Sequence, residues 1–271
     1  MSLIFEKPLA FVWRDIIEDT SYKLSFFMQF VSIFISTAMF YFFSRLLGDT
    51  GVSYLKPYGG DYFSFVLIGI AFYSYLGVSM KSLSETIREG QMLGTLEALL
   101  VTQTEIPTII VSSSLYSFIW ASFKVAVYLL LGIYAFGVDI GNANLVGAAV
   151  VLMLTIISFG SLGIVSASFV MVLKRGDPVS WIFSSVSGLL GGLYYPVSVL
   201  PDWLQSLSYL LPVTYALEGM RMAVLKGHSV SELLPNILAL TVFSLILLPL
   251  SILIFRYAVR KAKKDGSLTQ Y

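Results

Sequence analysis

The sequence runs NLVGAAVVLMLTIISFGSLGIVSASFVMVL from residue 144 to residue 173, thirty positions without a charged side chain. A helix needs about 20 such residues to cross the ~30 Å hydrocarbon core of a bilayer, so the stretch predicts a membrane span. The whole chain agrees, because 57% of its 271 residues are hydrophobic, 12% are charged and the mean hydropathy is +0.83. This composition predicts an all-α integral membrane protein with one transmembrane domain over residues 1–271.

Six spans are predicted by a window of about 20 residues. The third and fourth are longer than a bilayer requires, so they should tilt or protrude into the cytoplasm. An even number of spans puts both termini on one side of the membrane. Lys and Arg concentrate on that side, which predicts cytoplasmic termini. The spans lie at about residues 23–46, 62–80, 107–137, 144–173, 178–198 and 232–256.

Two further segments are apolar without being spans. Residues 1–22 place Trp13 and other apolar side chains opposite charged ones, which predicts an N-terminal interfacial helix in the membrane plane. A solvated lead-in is the alternative. Residues 196–228 are too apolar for a solvated loop and too interrupted by proline for a span. They predict a re-entrant helical segment before the last span, with a loop on the outer surface as the alternative.

A polar, amphipathic stretch over residues 81–105 separates the second and third spans. Its charges alternate in sign and its apolar residues recur at roughly helical spacing, which predicts a short cytoplasmic helix with one apolar face. Docking on a soluble partner and lying on the lipid headgroups are both compatible with this periodicity.

Lys124 lies far from both ends of the third span. An ammonium at that depth costs about 2.5–3.5 kcal/mol unless it faces water or a counter-charge. Three interpretations stay open: an ion pair with Glu218 of the re-entrant segment, a water-lined translocation cavity, and accommodation on the lipid side. The candidate residues for a translocation pathway or intramembrane charge are Lys124, Glu218 and Arg221.

Small residues recur every four positions on the fifth span. A stripe of this kind lets another helix approach closely, either within one subunit or across a dimer interface. The stripe consists of Ser180, Ser184, Gly188 and Gly192.

Three motifs together resemble the permease subunit of type-2 ABC exporters, a family that exports drugs, lipids and polysaccharides. The resemblance covers nearly the whole chain. Its motifs are Arg88-Glu89-Gly90 with Gly94-Thr95-Leu96-Glu97-Ala98-Leu99-Leu100, the segment from Tyr194-Tyr195-Pro196 to Leu200-Pro201, and Leu211-Pro212-Val213-Thr214-Tyr215 through Glu218-Gly219-Met220-Arg221.

The resemblance implies partners. An ABC-type ATPase subunit would bind ATP and Mg²⁺, and two permease subunits, expected to be a homodimer, would form the pathway in a prokaryotic cell membrane, among its lipids. The implied ATPase-coupling residues are Glu85, Arg88, Glu89, Gly90, Gly94, Thr95, Leu96 and Glu97.

Several function classes are disfavoured by the residues themselves. The sequence contains no G-x-x-x-x-G-K-[ST], so no P-loop nucleotide site is expected in this chain. No cofactor is expected, and no enzymatic activity either, because convergent Ser/His, Asp/Asp or His/Glu groups are not found at membrane depth. His228 is the single histidine and lacks companion ligands, so no metal site is expected. The net charge of +1 comes from scattered basic residues, which argues against nucleic-acid binding. A self-sufficient channel or ion-coupled transporter and an intramembrane enzyme are the rival classes.

Overall fold

The structure is a computed structural model that describes residues 13, 16–17, 21–48, 52–92, 106–173 and 176–264. Most of the predicted interfacial segment 1–22 lies outside these ranges, as do Gly94, Thr95, Leu96 and Glu97. Within these ranges the regular structure is helical, without strands. The helices are α1 (Lys23–Leu47), α2 (Val52–Leu55), α3 (Tyr62–Met92), α4 (Ile106–Tyr134), α5 (Leu145–Leu173), α6 (Pro178–Leu190), α7 (Asp202–Ser208), α8 (Pro212–Leu225) and α9 (Leu234–Lys264).

Five of the described helices are long and apolar enough to cross a membrane, and they coincide with five of the six predicted spans. The predicted span 178–198 differs, because α6 ends at Leu190 after 13 residues. That length is about 20 Å and does not cover ~30 Å of hydrocarbon. The helix ends where Gly192 takes a left-handed φ of 75°. The five apolar stretches are Phe26–Leu47, Tyr62–Glu89, Leu115–Tyr134, Leu145–Leu173 and Leu234–Ala262.

Helix α3 is longer than the predicted second span. It continues without a break from Tyr62 to Met92, so Glu85, Arg88 and Glu89 lie on the same helix as the span. No proline or glycine interrupts residues 81–89, and the alternating charges are compatible with helix on an exposed face. The first part of the predicted coupling region is therefore an extension of the span itself.

The core of the molecule forms where α5 packs between α3 and α9. Small residues allow the close approach: a Cβ on Gly163 of α5 would lie 2.4 Å from the carbonyl oxygen of Ser79 on α3. On the other side, the hydroxyls of Ser158 and Ser244 are hydrogen-bonded at 2.8 Å and join α5 to α9. These contacts hold α3, α5 and α9 together as one unit.

The segment between α6 and α9 folds back onto this core. Pro201 precedes α7, and Pro212 is the first residue of α8, a position that tolerates a missing N–H. Most of α8 is buried against α3, α5 and α9, with Val213, Leu217 and Ala223 almost fully enclosed. The predicted helical character of residues 196–228 is thus present, divided by Pro212.

Helix α1 lies at the periphery. Apolar side chains such as Phe27, Phe34 and Met39 are exposed along it. It is attached to α4 by two side-chain hydrogen bonds, described below, so one side is held by protein and the other is left to lipid or to another subunit.

Candidate functional site

One half-buried carboxylate joins three helices at the end of the molecule that carries the charged extension of α3. Asp177 caps the N-terminus of α6, where its Oδ1 accepts the backbone N–H of Ser180 at 2.9 Å. Its Oδ2 accepts the hydroxyl of Ser84 from α3 at 2.8 Å, and Ser166 of α5 donates a short hydrogen bond to Oδ1. Ser180 also donates to Ser166 at 3.0 Å. We call these four residues the Asp177 cluster.

The Asp177 carboxylate is ionised at neutral pH. Burial raises the pKa of this group, but the hydrogen bonds from Ser166, Ser180 and Ser84 outweigh that effect and hold the pKa below its ordinary value. The negative charge also lies at the positive end of the α6 dipole. The cluster therefore keeps a fixed anion that ties α6 to α3 and α5.

A cavity of about 260 Å³ adjoins the cluster and is lined by charged residues of α3, including Lys81, Glu85 and Arg88. Glu85, Arg88 and Glu89 are exposed, whereas Ile87 on the opposite face packs into a cluster with residues of α5 and α9. The extension of α3 thus has one packed face and one charged, accessible face.

On the other side of the molecule, Arg221 of α8 is 2% exposed and is held by backbone carbonyls. Its Nε donates to Phe65 at 3.0 Å, Nη1 to Gly192 at 2.7 Å and Nη2 to Leu193 at 2.8 Å. The guanidinium carbon lies 3.5 Å from the centroid of the Phe65 ring, a cation–π contact. Arg221 therefore fastens α8 to α3 and to the turn after α6.

The small-residue stripe, whose last member Gly192 lies just beyond the end of α6, makes contacts inside this chain. Ser180 belongs to the Asp177 cluster, and the carbonyl of Ser184 accepts the hydroxyl of Tyr73 at 2.8 Å. A Cβ on Gly188 would lie 3.7 Å from the same hydroxyl, and Gly192 accepts from Arg221. Each of the four positions thus has a contact within this chain, and a role at a dimer interface stays a prediction.

Lys124 and Glu218 line different cavities, and the ion pair between them stays a prediction. Glu218 lines a cavity of about 190 Å³ beside Tyr58, Tyr209 and Arg221. Lys124 lines a separate cavity of about 520 Å³ between α1, α3 and α4. The reason is the placement of α8, which packs against α3, α5 and α9, whereas the face of α4 that carries Lys124 is turned towards α1.

The surroundings of Lys124 are aromatic and polar. Its Nζ lies 5.7 Å from the centroid of the Trp120 ring. Trp120 donates its indole N–H to Oε1 of Gln29 on α1 at 3.0 Å. About two turns further along α4, the Tyr128 hydroxyl is 3.2 Å from that of Ser36 on α1. Both neighbours of Lys124 on this face are thus fixed against α1.

Comparison with known families decides the identity of the fold. Residues 9–225 match the family model described as ABC-2 type transporter, which is most of the chain. The chain belongs to the ABC-2 type transporter permease family.

Two bacterial relatives place the permease among transport proteins. It is 25% identical over 174 residues to the protein named probable multidrug ABC transporter permease YbhR of Escherichia coli K12, covering 62% of this chain and 46% of that protein. It is 22% identical over 160 residues to the linearmycin resistance permease protein LnrN of Bacillus subtilis, covering 59% of this chain and 41% of that protein. The matched region thus spans less than half of each relative.

This membership fits a multi-pass membrane protein with an all-helical fold, and the permease family has no ATPase domain of its own. The resemblance inferred from the sequence motifs is therefore confirmed. Sequence reasoning missed Asp177 and its partners Ser84 and Ser166, although the Asp-Pro pair at 177–178 is a helix-start signal that points to this carboxylate.

Proposed function

We propose that this permease is the membrane subunit of an ATP-driven exporter, in which a separate ATPase subunit binds ATP and Mg²⁺. Membership of the ABC-2 family over residues 9–225 is the observation that carries the proposal. The names of YbhR and LnrN refer to multidrug transport and to linearmycin resistance, which supports an amphipathic or lipid-like substrate such as a drug, a lipid or a lipid-linked saccharide.

The charged end of α3 and the residues that follow it form the proposed docking site for the ATPase. Glu85, Arg88, Glu89 and Gly90 lie on α3, and Gly94, Thr95, Leu96 and Glu97 continue the same stretch. Complementary charge would orient the ATPase, and apolar contacts would hold it. Because α3 is unbroken from its charged end into the membrane region, a displacement of that end would be passed on to the span.

The Asp177 cluster extends this connection to a second helix. Ser84 lies one residue before Glu85 on α3 and is hydrogen-bonded to Asp177 at the start of α6. Motion of α3 therefore acts on α6 through a short, charge-assisted contact. In this account, closure of the ATPase subunits changes the position of α3 and α6 together.

A second permease subunit completes the pathway in this proposal, and we expect a homodimer. Helix α6 presents Trp181, Ile182 and Leu189 outward, and α1 adds further exposed apolar residues. Helix α6 and the following outer segment form the sixth crossing, which leaves both termini in the cytoplasm. Residues 196–228 dip into the outer leaflet as the re-entrant segment.

Substitutions in the docking stretch test the proposal. Leu96→Asp or Gly94→Asp should abolish ATP-driven transport and weaken complex formation with the ATPase, because a charge would enter the apolar contact. Val230→Asp, in the exposed turn before α9, is the matched control and should leave both unchanged. Wild-type complex formation and ATP hydrolysis in the Leu96 and Gly94 variants would remove the docking assignment. Activity without any ATPase would favour a channel or ion-coupled transporter.

A further inference from the structure

A cavity beside Arg221 is lined by parts of the chain outside the five helices that are long enough to cross a membrane. We call it the Glu218 cavity. It has a volume of about 190 Å³ and lies between the end of α2, the turn after α6, and α8. None of its lining residues belongs to the five long apolar stretches of the described chain. Its polar and aromatic lining includes Tyr54, Tyr58, Ser198, Tyr209, Glu218 and Arg221.

The Glu218 carboxylate lines this cavity without a hydrogen bond from the protein. In the part of the chain that the structure describes, no group donates a hydrogen bond to it. Arg221, three residues later on α8, attracts the carboxylate, but its guanidinium donates to backbone carbonyls of residues 65, 192 and 193. A carboxylate can accept about four hydrogen bonds. The oxygens of Glu218 can therefore accept from a donor that enters the cavity.

Three tyrosines line the same cavity, at positions 54, 58 and 209. Burial and the nearby Glu218 carboxylate raise the pKa of the Tyr58 phenol to about 12, so this side chain is neutral beside the carboxylate. Aromatic rings attract cations, and groups of aromatic side chains recognise organic ammonium ions. A carboxylate adds charge-assisted hydrogen bonds from the N–H groups of a protonated amine. The lining therefore suits an organic ammonium, whereas an anion would meet the charge of Glu218.

The size and the opening of the cavity limit the ligand further. A volume of 190 Å³ equals that of about six waters at ~30 Å³ each. It is smaller than the ~300–1,000 Å³ pockets of drug-sized ligands, so it suits one ammonium group with a ring or short chain. Tyr54 and Tyr209 are 51% and 46% exposed, and Ser198 is also exposed, so the cavity opens at the surface. Because the lining lies outside the apolar stretches, a ligand reaches it from water.

The cavity and the proposed ATPase docking stretch lie at opposite ends of α3. Arg221 is bonded to Phe65 near the start of α3, and Glu85 follows twenty residues later on the same helix. Twenty helical residues span about 30 Å, the thickness of the hydrocarbon core. The Glu218 cavity is thus on the side to which an exporter delivers its substrate.

We propose that the Glu218 cavity binds the ammonium group of a water-borne organic cation on the export side of the membrane. This inference rests on the proposed export function and names the substrate class as organic amines that are protonated at neutral pH. Glu218 accepts hydrogen bonds from the ammonium, and the tyrosines contact its hydrocarbon part and its charge.

Two matched probes test the proposal by fluorine NMR. The full permease with its ATPase is kept in a nonionic detergent without ATP. Saturable binding of para-fluorobenzylammonium and of para-fluorobenzyl alcohol is measured above that of empty micelles. The probes have equal numbers of heavy atoms and differ in charge, so wild type should bind the ammonium at least about tenfold more tightly. Equal affinity, or tighter binding of the alcohol, would overturn the proposal in favour of a site for neutral hydroxyl compounds.

Carboxylate variants locate the site. Glu218→Gln keeps the shape of the side chain and removes its charge, so it should weaken ammonium binding about tenfold or more and change alcohol binding by less than about twofold. Glu232→Gln, at an exposed glutamate in the turn before α9, is the matched control and should bind both probes like wild type. Unchanged ammonium affinity in Glu218→Gln would refute the assignment. If that variant does not fold, the comparison of the two probes on wild type still decides.

A tyrosine at the opening of the cavity tests the aromatic contribution. Tyr54→Phe keeps the ring and should bind the ammonium like wild type. Tyr54→Leu removes the ring and should weaken ammonium binding about two- to fivefold. Equal ammonium affinity in the two variants would overturn recognition of the cation by Tyr54.

Competition with a lipid separates a water-borne amine from a lipid headgroup. Phosphatidylethanolamine, whose headgroup carries an ammonium, should not displace para-fluorobenzylammonium at equal concentration, because the lining lies outside the apolar stretches. Displacement would overturn entry from water. The assay uses no ATP, so a negative result leaves the proposed coupling to an ATPase untouched, and failure to recover an ATPase leaves the binding result valid.

Discussion

The guanidinium of Arg221 has room only because residue 69 of the neighbouring helix α3 is a glycine. Gly69 of α3 lies against its guanidinium, and a Cβ there would be 2.4 Å from Nη2 and 2.8 Å from the carbonyl oxygen of Leu193. Gly69→Ala should therefore destabilise the protein by about 1–3 kcal/mol through overpacking. Gly77→Ala on the same helix meets no atom within 4 Å, so it should be neutral or slightly stabilising. Thermal unfolding in detergent measures the stability of both variants. Equal stability changes in Gly69→Ala and Gly77→Ala would contradict this packing.

The three hydrogen bonds that Arg221 donates predict the stability cost of replacing it with lysine. Arg221→Lys leaves at least one buried carbonyl without its donor and loses the planar contact with Phe65, so it should cost at least about 2 kcal/mol. Arg45→Lys is the control, since Arg45 is exposed and contacts Tyr41 of its own helix. Its effect should stay within about 0.5 kcal/mol. Comparable losses in both variants would show that the carbonyl contacts contribute little.

Sequence reasoning recognised Arg221 as an unusual charge but not its role. The partners of its guanidinium are backbone oxygens of residues 65, 192 and 193, and backbone groups leave no residue-type signature. Glu218, three residues earlier, was the more visible candidate partner for a cation. Only the placement of α8 beside α3 reveals the interaction.

At the scale of elements, two capping aspartates provide a matched comparison. Asp177 caps α6 and also binds serines of α3 and α5, whereas Asp61 before α3 accepts hydrogen bonds from Phe63 and Ser64 close by. Asp61→Ala should cost about 0.5–2 kcal/mol for the lost cap. Asp177→Ala should cost more, because it also removes the acceptor that the buried hydroxyls of Ser84 and Ser166 share. If both variants lost the same free energy of unfolding, Asp177 would contribute no more than a helix cap.

The pH dependence of this contribution follows from the lowered pKa of Asp177. A carboxyl whose pKa is lower in the folded protein stabilises it fully above the unfolded pKa of about 3.9, and loses that contribution as pH falls through the folded pKa. The difference in the free energy of unfolding between wild type and Asp177→Ala should thus be constant from pH 5 to pH 8. A penalty that shrinks within this window would contradict a stably ionised Asp177.

Most of the elements could be predicted because long apolar runs encode membrane helices directly. Residues 144–173 became α5, which begins one residue later. The differences occur where hydropathy carries no information: α3 continues to Met92 because its charged end still favours helix, and α6 stops at Leu190 because of the glycines that follow. Residues 93–105, where the docking stretch continues, remain a sequence-based prediction.

At the scale of the whole molecule, the two faces of α6 predict different crosslinks in a homodimer. A cysteine replacing Gly188 would face the Tyr73 hydroxyl of the same chain, and one replacing Ser180, which is buried beside Ser166, would be enclosed. Neither should link two subunits. Cysteines replacing Trp181 and Leu189, which are 71% and 63% exposed, should link subunits if α6 lines the dimer interface. The chain contains no cysteine of its own, so each link reports one position. If only cysteines on the packed face of α6 linked two subunits, the proposed orientation of α6 at the dimer interface would be contradicted.

The account depends most on the claim that this permease works with a separate ATPase. Purifying the tagged full chain from its native membrane and identifying what accompanies it tests that claim directly. We expect a subunit that carries G-x-x-x-x-G-K-[ST] and hydrolyses ATP, in equal molar amount with the permease. We also expect Leu96→Asp to lose that subunit. A permease that purifies without such a subunit, and that moves its substrate across liposomes without ATP, would contradict the account.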